Sequence, residues 1–343
     1  MKILVTGNLG YIGSVLTDIL LEKNLDFIGY DIGFFKKCNL FRTKDNFKQI
    51  IKDLRDVETK DLSKSDYVVH LGALSNDPLG EFDSKITNEI NYRATMKLAN
   101  IAKNSGVKRF VYISSQSMYG ISNTENELDE YNSNKNPITE YAKTKWKSEM
   151  ELNKLNSKNF TVVTFRPSTV YGVSPRLRCD IVFNNLVASA YTTKKIEVKS
   201  DGSPWRPVVH VRDVCLAILA GLQAPTELVA GKTFNIGIAN GNYTIKDLAE
   251  VVQKVIPNSK IVFTEEHLRD SRTYKVSFKK ILTELKDYYK PEWNLEKGAL
   301  ELLNFFKEIK FNESQFRGIY TNRLSCLSNL ILNKTINNQL RFI

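Results

Sequence analysis

The 343-residue chain has few of the residues that build metal centres or disulfide frameworks, and no long hydrophobic run. No apolar stretch approaches the roughly 20 residues that a helix needs to cross a bilayer, which excludes a membrane-spanning protein. The four cysteines lie far apart without a Cys-x-x-Cys pair, and the three histidines lack the spacing of metal ligands. We therefore expect free thiols in a reducing compartment, no metal site and no membrane partner.

The chain also lacks a leader pattern and a dense basic tract. One lysine precedes the first apolar run, without a small-residue cleavage site, so we expect no signal peptide and a cytoplasmic location. The net charge is +11, from 49 basic and 38 acidic residues, but the lysines are scattered. This distribution favours a solvated surface over a nucleic-acid site, and its field would attract an anionic substrate such as a nucleotide diphosphate. We therefore expect no nucleic-acid partner.

The first fourteen residues carry the most specific pattern in the chain. The apolar run 3–5 predicts a buried strand, Gly7, Gly10 and Gly13 follow with Gly-x-x-Gly-x-x-Gly spacing, and residues 11–23 have a helical apolar period. Glycines let the backbone turn tightly beside a pyrophosphate, and the helix N-terminus presents free N–H groups to it. Strand, turn and helix in this order predict a dinucleotide site.

Strands and helices alternate through the first half of the chain, which predicts an α/β fold with a doubly wound parallel sheet. The predicted strands and helices there are the strands 27–31, 67–71, 109–113 and 160–165 and the helices 89–104 and 139–155. From residue 170 onward the pattern becomes irregular, and a helix near 244–256 and a strand 260–263 suggest a smaller second lobe. We predict a dinucleotide-binding domain over 1–170, to which segments near 207–240 return, and a substrate lobe over 171–312.

Residues 313–343 form a C-terminal helical extension in this prediction. One or two short amphipathic helices are suggested by the apolar residues Ile319, Leu324, Leu327, Leu330, Ile331 and Ile336. Two hypotheses remain open for this segment. It is either a packing or oligomer-forming element, or a lid over the substrate site.

Two acidic positions follow predicted strands in the first half. Asp31 ends the second strand, where a carboxylate accepts both hydroxyls of an adenine ribose and repels a 2′-phosphate, so it favours NAD over NADP. Lys36 and Lys37 follow closely and leave NADP open as an alternative. The run 53–56, Asp-Leu-Arg-Asp, follows a predicted third strand and places a carboxylate within reach of the adenine edge, with a surface charge cluster as the alternative.

Tyr141 and Lys145 are the strongest candidates for proton transfer. They lie four residues apart near the start of the predicted helix 139–155, so both are on one helical face. The ammonium stabilises a phenolate, and a positively charged nicotinamide adds to this, so the pair can exchange a proton with a hydroxyl or carbonyl group. The serine-rich run 114–120 follows the strand 109–113, where a hydroxyl can hydrogen-bond the reacting oxygen. An exposed helix pair and an ordinary turn are the alternatives.

Taken together, the motifs resemble the extended short-chain dehydrogenases/reductases of the sugar-nucleotide epimerase/dehydratase type. The matching pieces are Thr6-Gly7-x-x-Gly10-x-x-Gly13, Asp53 to Asp56, His70 to Ala73, Asn91, Ser114 to Gly120, Tyr141-x-x-x-Lys145, Arg166-Pro167, Asn184 to Leu186, Trp205 to Asp213 and Asp270 to Tyr274. Several motifs in the right order make the resemblance specific for the superfamily and less so for the reaction. The resemblance implies a Rossmann-type fold with NAD as cofactor and a homodimer formed through the helices near 89–104 and 139–155.

Site residues follow from the resemblance position by position. It implies that Ser115, Tyr141 and Lys145 are catalytic. It implies cofactor contacts from Gly7, Leu9, Gly10, Tyr11, Ile12, Asp31, Asp53, Leu54, Leu71, Gly72, Ala73, Asn91, Ser114, Tyr141, Lys145 and Pro167. It implies substrate contacts from Ser75, Ser115, Thr169, Asn185, Arg206 and Arg272, where an arginine fork suits a diphosphate because it donates two hydrogen bonds.

Departures from the family pattern narrow the reaction. The 4,6-dehydratases of this family carry an Asp-Glu pair in the serine turn, whereas this chain has Gln116 and Ser117, which disfavours dehydration. Thr169 replaces the family's sugar-contacting Asn, and Gly72 precedes an unusual loop, Ser-Asn-Asp-Pro over 75–78, so the accepted sugar stays open.

The resemblance therefore implies an enzyme that oxidises or epimerises a nucleotide-activated sugar with NAD, by hydride transfer at C4, with Tyr141 as acid and base. A dehydrogenase or 4-keto-sugar reductase with net redox turnover is the main alternative. A non-catalytic dinucleotide-binding protein is the other, although the presence of both Tyr141 and Lys145 argues against it.

Overall fold

The computed structural model describes residues 1–41, 44, 46–62, 64–122, 125–264 and 273–343. The strands in this part of the chain are β1 (Lys2–Thr6), β2 (Asp26–Asp31), β3 (Lys48–Ile51), β4 (Tyr67–His70), β5 (Arg109–Ile113), β6 (Thr161–Pro167), β7 (Thr169–Tyr171), β8 (Lys195–Val198), β9 (Trp205–His210), β10 (Lys232–Ile236), β11 (Asn242–Thr244) and β12 (Lys260–Phe263). The α-helices are α1 (Tyr11–Glu22), α2 (Asp77–Gly80), α3 (Ser84–Asn88), α4 (Ala94–Asn104), α5 (Glu140–Leu155), α6 (Val182–Thr193), α7 (Val211–Gln223), α8 (Thr226–Val229), α9 (Ile245–Val255), α10 (Lys279–Glu284), α11 (Leu295–Glu308), α12 (Glu313–Phe316) and α13 (Arg323–Leu332).

The larger sheet of the described residues has seven strands in the order β10-β6-β5-β4-β1-β2-β3, all paired in parallel. Every residue of the interior strand β5 is buried, as expected for a parallel sheet that helices cover on both faces. This architecture confirms the predicted doubly wound α/β fold of the Rossmann type. Because the strands are parallel, the loops after β1, β2, β3, β4 and β5 all leave from the same edge of the sheet.

A smaller set of strands lies beyond this sheet. Strands β11, β9 and β7 form one sheet, and β12 pairs in parallel with β8. Helices α6, α9 and α11 pack together beside them. Strand β10 returns to the large sheet, where it pairs with β6. The division into domains at residues 170 and 312 stays a prediction.

The predicted helix 89–104 is less regular than its periodicity indicates. Helix α3 precedes a π-helical turn, Glu89–Arg93, and α4 follows it. The buried Asn91 lies within that turn, and its Oδ1 accepts a hydrogen bond of 2.8 Å from the Leu74 N–H. Such π-bulges reposition one side chain within a helix, and apolar spacing alone does not reveal them.

The extension 313–343 contains two short helices, α12 and α13, as predicted. After α13 the chain turns back on itself, with Ile336 bridged to Phe342 in antiparallel fashion. Leu327, Ile336 and Leu340 are almost completely buried and pack against residues that follow β2 and β4.

Candidate active site

A cleft of about 950 Å³ runs along the edge of the large sheet where its parallel strands end. The predicted site residues that line it are Gly7, Gly10, Tyr11, Ile12, Asp31, Asp53, Leu54, Leu71, Gly72, Ala73, Ser75, Ser114, Ser115, Tyr141, Lys145, Pro167, Thr169, Asn185 and Arg206. The structure therefore brings most of the predicted site into one cleft. Their individual roles stay predictions, and Arg272 lies outside the described residues.

Two predicted site residues, Leu9 and Asn91, do not line the cleft but form hydrogen bonds with residues that do. The backbone N–H of Leu9 donates to Asp31 Oδ2 at 3.2 Å, so Leu9 helps to orient the carboxylate. Asn91 forms two hydrogen bonds with the backbone of Leu74. Its Oδ1 accepts the Leu74 N–H, and its Nδ2 donates to the Leu74 carbonyl at 3.2 Å. These contacts support the lining of the cleft.

Two glycines of the turn between β1 and α1, Gly7 and Gly13, have no room for a side chain. Gly7 has φ +73°, and a Cβ there would lie 2.6 Å from the backbone nitrogen of Gly72. A Cβ at Gly13 would lie 2.2 Å from the Gly7 carbonyl oxygen. Gly10 precedes α1 without a side-chain hydrogen bond to the first turn, so the N–H groups of that turn are left for a ligand. This geometry fits a pyrophosphate group.

Asp31 lies at the end of β2, on the wall of the cleft. Its Oδ1 accepts a hydrogen bond of 2.7 Å from the Gly33 N–H, in addition to the bond from Leu9. Burial raises the pKa of this carboxyl group, and the two backbone hydrogen bonds oppose that rise. A partly buried carboxylate that is held in this way is suited to accept hydrogen bonds from a diol.

Asp53 is also on the cleft wall, but its carboxylate is already engaged. It caps the short 3₁₀ turn Leu54–Asp56 by accepting the Arg55 N–H at 2.8 Å, and it forms an ion pair of 2.7 Å with the Arg55 guanidinium. A second ion pair, of 3.1 Å, joins Asp53 to Arg341 in the C-terminal extension. The sequence could not predict this second partner, which is distant along the chain.

Ser115, Tyr141 and Lys145 meet at the ends of β5 and α5. Thr139 caps α5, since its hydroxyl oxygen accepts the Ala142 N–H at 3.2 Å, and this fixes the first turn that carries Tyr141. The Ser115 hydroxyl lies near enough to Tyr141 to lower its pKa. Lys145 Nζ donates to the Ile113 carbonyl at 2.7 Å. A phenol, a hydroxyl and an amine therefore converge on one side of the cleft.

Burial dominates the electrostatics of this group. It raises the pKa of Tyr141 to about 12, while the hydrogen bond with Ser115 opposes the rise. Burial also lowers the pKa of Lys145 to about 7. A low dielectric disfavours both charged forms, so burial raises the pKa of the phenol and lowers the pKa of the ammonium. A bound positive charge would favour the phenolate.

The serine turn after β5 carries an amide group at Gln116 and a hydroxyl group at Ser117. Gln116 is buried, and its Nε2 donates to the Arg166 carbonyl at 3.0 Å. Ser117 Oγ accepts a hydrogen bond of 2.9 Å from the Ser115 hydroxyl. Ser114 belongs to the cleft wall, and its Oγ is buried without a hydrogen-bond partner among the described residues.

The far end of the cleft contains a buried ion pair that no sequence motif marked. Arg178 is 5% exposed, forms an ion pair of 2.8 Å with Asp180, and donates to the Ser75 carbonyl at 3.2 Å and hydroxyl at 3.3 Å. Its charge lowers the pKa of Tyr141, although less than burial raises it. The sequence signal that could have pointed to Arg178 was the run Arg176-Leu177-Arg178, shortly after β7 and Gly172.

Other predicted substrate residues line the same end. Asn185 Nδ2 donates to the Cys179 carbonyl at 2.8 Å, and Arg206 Nη1 donates to the Trp205 carbonyl at 2.9 Å. Within the described ranges, no group of three or more His, Cys, Asp or Glu residues is arranged to hold a metal ion. No helix in those ranges is both long and apolar enough to cross a membrane.

A sequence model of the NAD dependent epimerase/dehydratase family matches residues 3–237. The chain belongs to this family. Membership confirms the resemblance to extended short-chain dehydrogenases/reductases and the predictions of an enzyme and of NAD as its cofactor.

The individual relatives share less than 30% of their aligned residues with this chain. The chain is 28% identical over 329 residues to UDP-glucuronic acid decarboxylase 1 of Arabidopsis thaliana, covering 93% of this chain and 73% of that protein. It is 24% identical over 322 residues to UDP-glucuronate 4-epimerase of Thermodesulfobacterium geofontis, covering 89% and 96%. The structure of UDP-glucuronic acid 4-epimerase from Bacillus cereus in complex with NAD superimposes with a TM-score of 0.76 at 26% identity, covering 90% and 97%.

Proposed function

We propose that this member of the family is an epimerase that oxidises a nucleotide-activated sugar at C4 and reduces it again on the other face. The observation that carries the proposal is the convergence of Ser115, Tyr141 and Lys145 in the cleft that also contains the glycine turn. The amide of Gln116 and the hydroxyl of Ser117 supply no carboxylic acid for elimination of water. Relatives of the family include both 4-epimerases and decarboxylases of UDP-glucuronic acid.

The residues of the cleft fit NAD along its length. The glycine turn and the N-terminus of α1 would hold the pyrophosphate, and Asp31 would accept the hydroxyls of the adenine ribose. Lys145 and the unpartnered hydroxyl of Ser114 would lie toward the nicotinamide half. When bound, NAD takes up the hydride from the sugar carbon and gives it back.

The protein's own residues would handle the proton. Tyr141 Oη removes the proton of the C4 hydroxyl in the oxidation and returns it in the reduction. The hydroxyl of Ser115, which lies beside Tyr141, would bind the same oxygen and keep it in line. Lys145, in its charged form, lowers the free energy of the phenolate. At the far end, Asn185 and Arg206 would bind the nucleotide diphosphate.

A panel of nucleotide sugars tests this function. The purified protein is incubated with UDP-glucose, UDP-glucuronic acid and their dTDP, GDP, ADP and CDP counterparts, and NMR identifies the product while absorbance reports NADH. We expect the C4 epimer of at least one sugar, without accumulation of NADH. Stoichiometric NADH would instead identify a dehydrogenase, and a pentose product from UDP-glucuronic acid would identify a decarboxylase. Either result would overturn the epimerase proposal.

Asp31→Asn tests the proposed choice of NAD over NADP. The variant keeps the size of the side chain but removes the charge that repels a 2′-phosphate. We expect NAD binding to weaken by roughly 10- to 100-fold, because hydrogen bonds to a charged group are lost, and the preference over NADP to shrink. Asp26→Asn, at the exposed opposite end of β2, is the matched control and should change neither constant. A wild-type preference for NADP would contradict the role of Asp31.

The oligomeric state and the compartment belong to the same proposal. We infer a homodimer in which the surface of α4 and α5 pairs with its copy. In support, Met150 on α5 is 40% exposed, and Lys147 Nζ lies 4.0 Å from the ring centre of Tyr92 in the π-helical turn beside α4, which ties the two elements together. The four free thiols suit the reducing cytoplasm. Sedimentation of wild type and Met150→Glu would test the dimer, since a buried charge there should yield monomers.

A further inference from the structure

The C-terminal strap, residues 323–343, packs against the loops that form the cleft wall where Asp31 and Asp53 lie. It consists of α13 and the turn that follows it. The turn is internally fixed, because Asn337 Oδ1 accepts the N–H groups of Gln339 at 2.9 Å and Arg341 at 3.0 Å. These hydrogen bonds fix the backbone of the turn and therefore the directions in which its side chains leave it.

The loop after β3 holds the turn of the strap by charge and hydrogen bonds. Arg55 donates to the carbonyls of Gln339 at 2.9 Å and Leu340 at 3.1 Å. Arg341 reaches back to Asp53 at 3.1 Å and forms a second ion pair with Asp56. Asp53, which lines the cleft, is therefore linked directly to the strap.

Apolar contacts attach the strap to two further loops. Leu340 is fully buried in a cluster with Phe34 from the loop after β2 and Leu74 from the loop after β4. The ring of Phe342 lies 5.7 Å from that of Phe34, measured between centroids. Phe34 and Leu74 line the cleft themselves. The strap thus bridges the loops that leave β2, β3 and β4 along the same sheet edge.

A pair of thiols joins the same two parts of the protein. Cys326 Sγ on α13 lies 3.5 Å from Cys38 Sγ, which follows the loop after β2. Both side chains are buried as free thiols. The two residues are far apart in the sequence, and their contact places α13 directly beside the segment that follows Asp31.

We propose that the C-terminal strap braces the loops that form the adenosine end of the cleft and so slows the release of NAD between turnovers. The proposal rests on the proposed function for the position of the cofactor. Phe34, Asp53 and Leu74 line the cleft and contact the strap, so detaching the strap would loosen the loops that hold the adenosine. Retention suits an enzyme that needs no exchange of cofactor, and it opposes the alternative of a dehydrogenase, which must release NADH in every cycle.

The release rate of the cofactor tests the strap without any substrate. Protein loaded with NADH is mixed with excess NAD⁺, and the loss of the fluorescence of bound NADH is followed in time. We expect Leu340→Ala and Arg341→Ala to release NADH about tenfold or more faster than wild type, because the strap loses an anchor. Leu332→Ala makes the same change at a side chain that is 80% exposed, and should release NADH at the wild-type rate.

The thiol pair provides a second test if the strap variants prove unstable. Oxidised glutathione would convert Cys38 and Cys326 to a disulfide. The two thiols lose two protons and two electrons, and the reagent is reduced to two glutathione molecules. The hydrogen bond with Cys38 lowers the pKa of Cys326, which favours the thiolate that attacks the reagent. The cross-linked fraction, identified by mass spectrometry, should release NADH about tenfold more slowly, and Cys326→Ser should not respond.

The outcomes separate this proposal from the proposed function. Equal release rates in wild type, Leu340→Ala and Arg341→Ala, or in the reduced and cross-linked protein, would overturn the strap and leave the epimerase untouched. A protein that binds no NADH would overturn both. A fast-releasing variant that still epimerises its sugar when NAD is supplied would support both.

Discussion

Tyr141→Phe is expected to lower kcat by roughly 10²- to 10⁴-fold while NAD and the nucleotide sugar still bind. The substitution removes only the hydroxyl that exchanges a proton with the sugar, and the ring continues to fill its place in the cleft. Burial holds the pKa of Tyr141 at about 12 in the protein alone. The positive charge that arrives with NAD favours the phenolate, so wild-type kcat should rise with pH to a plateau whose midpoint lies below that value.

Rates at saturating substrate, together with separate titrations of NAD and of the nucleotide sugar, measure this effect. Tyr288→Phe removes the same hydroxyl from a side chain on the surface, 37% exposed, and should leave kcat unchanged. The limb of the pH profile that belongs to Tyr141 should disappear in Tyr141→Phe. A variant that keeps kcat within a few-fold of wild type would remove Tyr141 from the mechanism.

Arg166→Met is expected to destabilise the fold by about 3–5 kcal/mol, because it leaves a buried carboxylate without its partner. Arg166 is 2% exposed and forms an ion pair of 2.5 Å with Glu149, which is 4% exposed. Its Nη1 also donates to Tyr119 Oη at 2.8 Å, at the end of the serine turn. Since Glu149 lies on α5 with Tyr141 and Lys145, the pair joins β6 to the catalytic helix.

Chemical denaturation measures the loss in the free energy of unfolding. Lys154→Met breaks an exposed pair with Glu151 on the same helix, and it should change stability by less than about 1 kcal/mol. The double variant Arg166→Met/Glu149→Met should be more stable than Arg166→Met, because it removes the unpaired charge. An Arg166→Met protein as stable as Lys154→Met would show that the buried pair contributes little.

Local sequence patterns were sufficient where the site is built from short segments. The glycine turn, Asp31 and the pair of Tyr141 and Lys145 each lie in a short stretch of sequence, so local spacing alone indicated their places. Helix α5 starts one residue after the predicted position, because Thr139 serves as its cap. The strand bounds of β5 and β12 agree with the predicted ones.

Those local patterns could not predict contacts between segments that are far apart in the sequence. Cys326 on α13 meets Cys38, and Arg341 in the turn after α13 joins Asp53, only because this part of the chain returns to the sheet edge. Arg178 takes its position from Asp180 and from Ser75 in a different loop. The pKa of Lys145 depends on how completely the neighbouring segments bury it, which no spacing reveals. The sequence left two hypotheses for the extension 313–343, a packing element or a lid. In the structure, α13 and the turn after it contact the loops that line the cleft.

A nucleotide sugar that carries deuterium at C4 tests the central claim most directly. If the sugar is oxidised at C4 and the same hydrogen is returned to the other face, NMR should find the epimer with its deuterium retained at C4. The deuterium should reach neither the solvent nor the free cofactor pool. An epimer that has lost the label, or label that accumulates in released NADH, would contradict an epimerase that retains its cofactor.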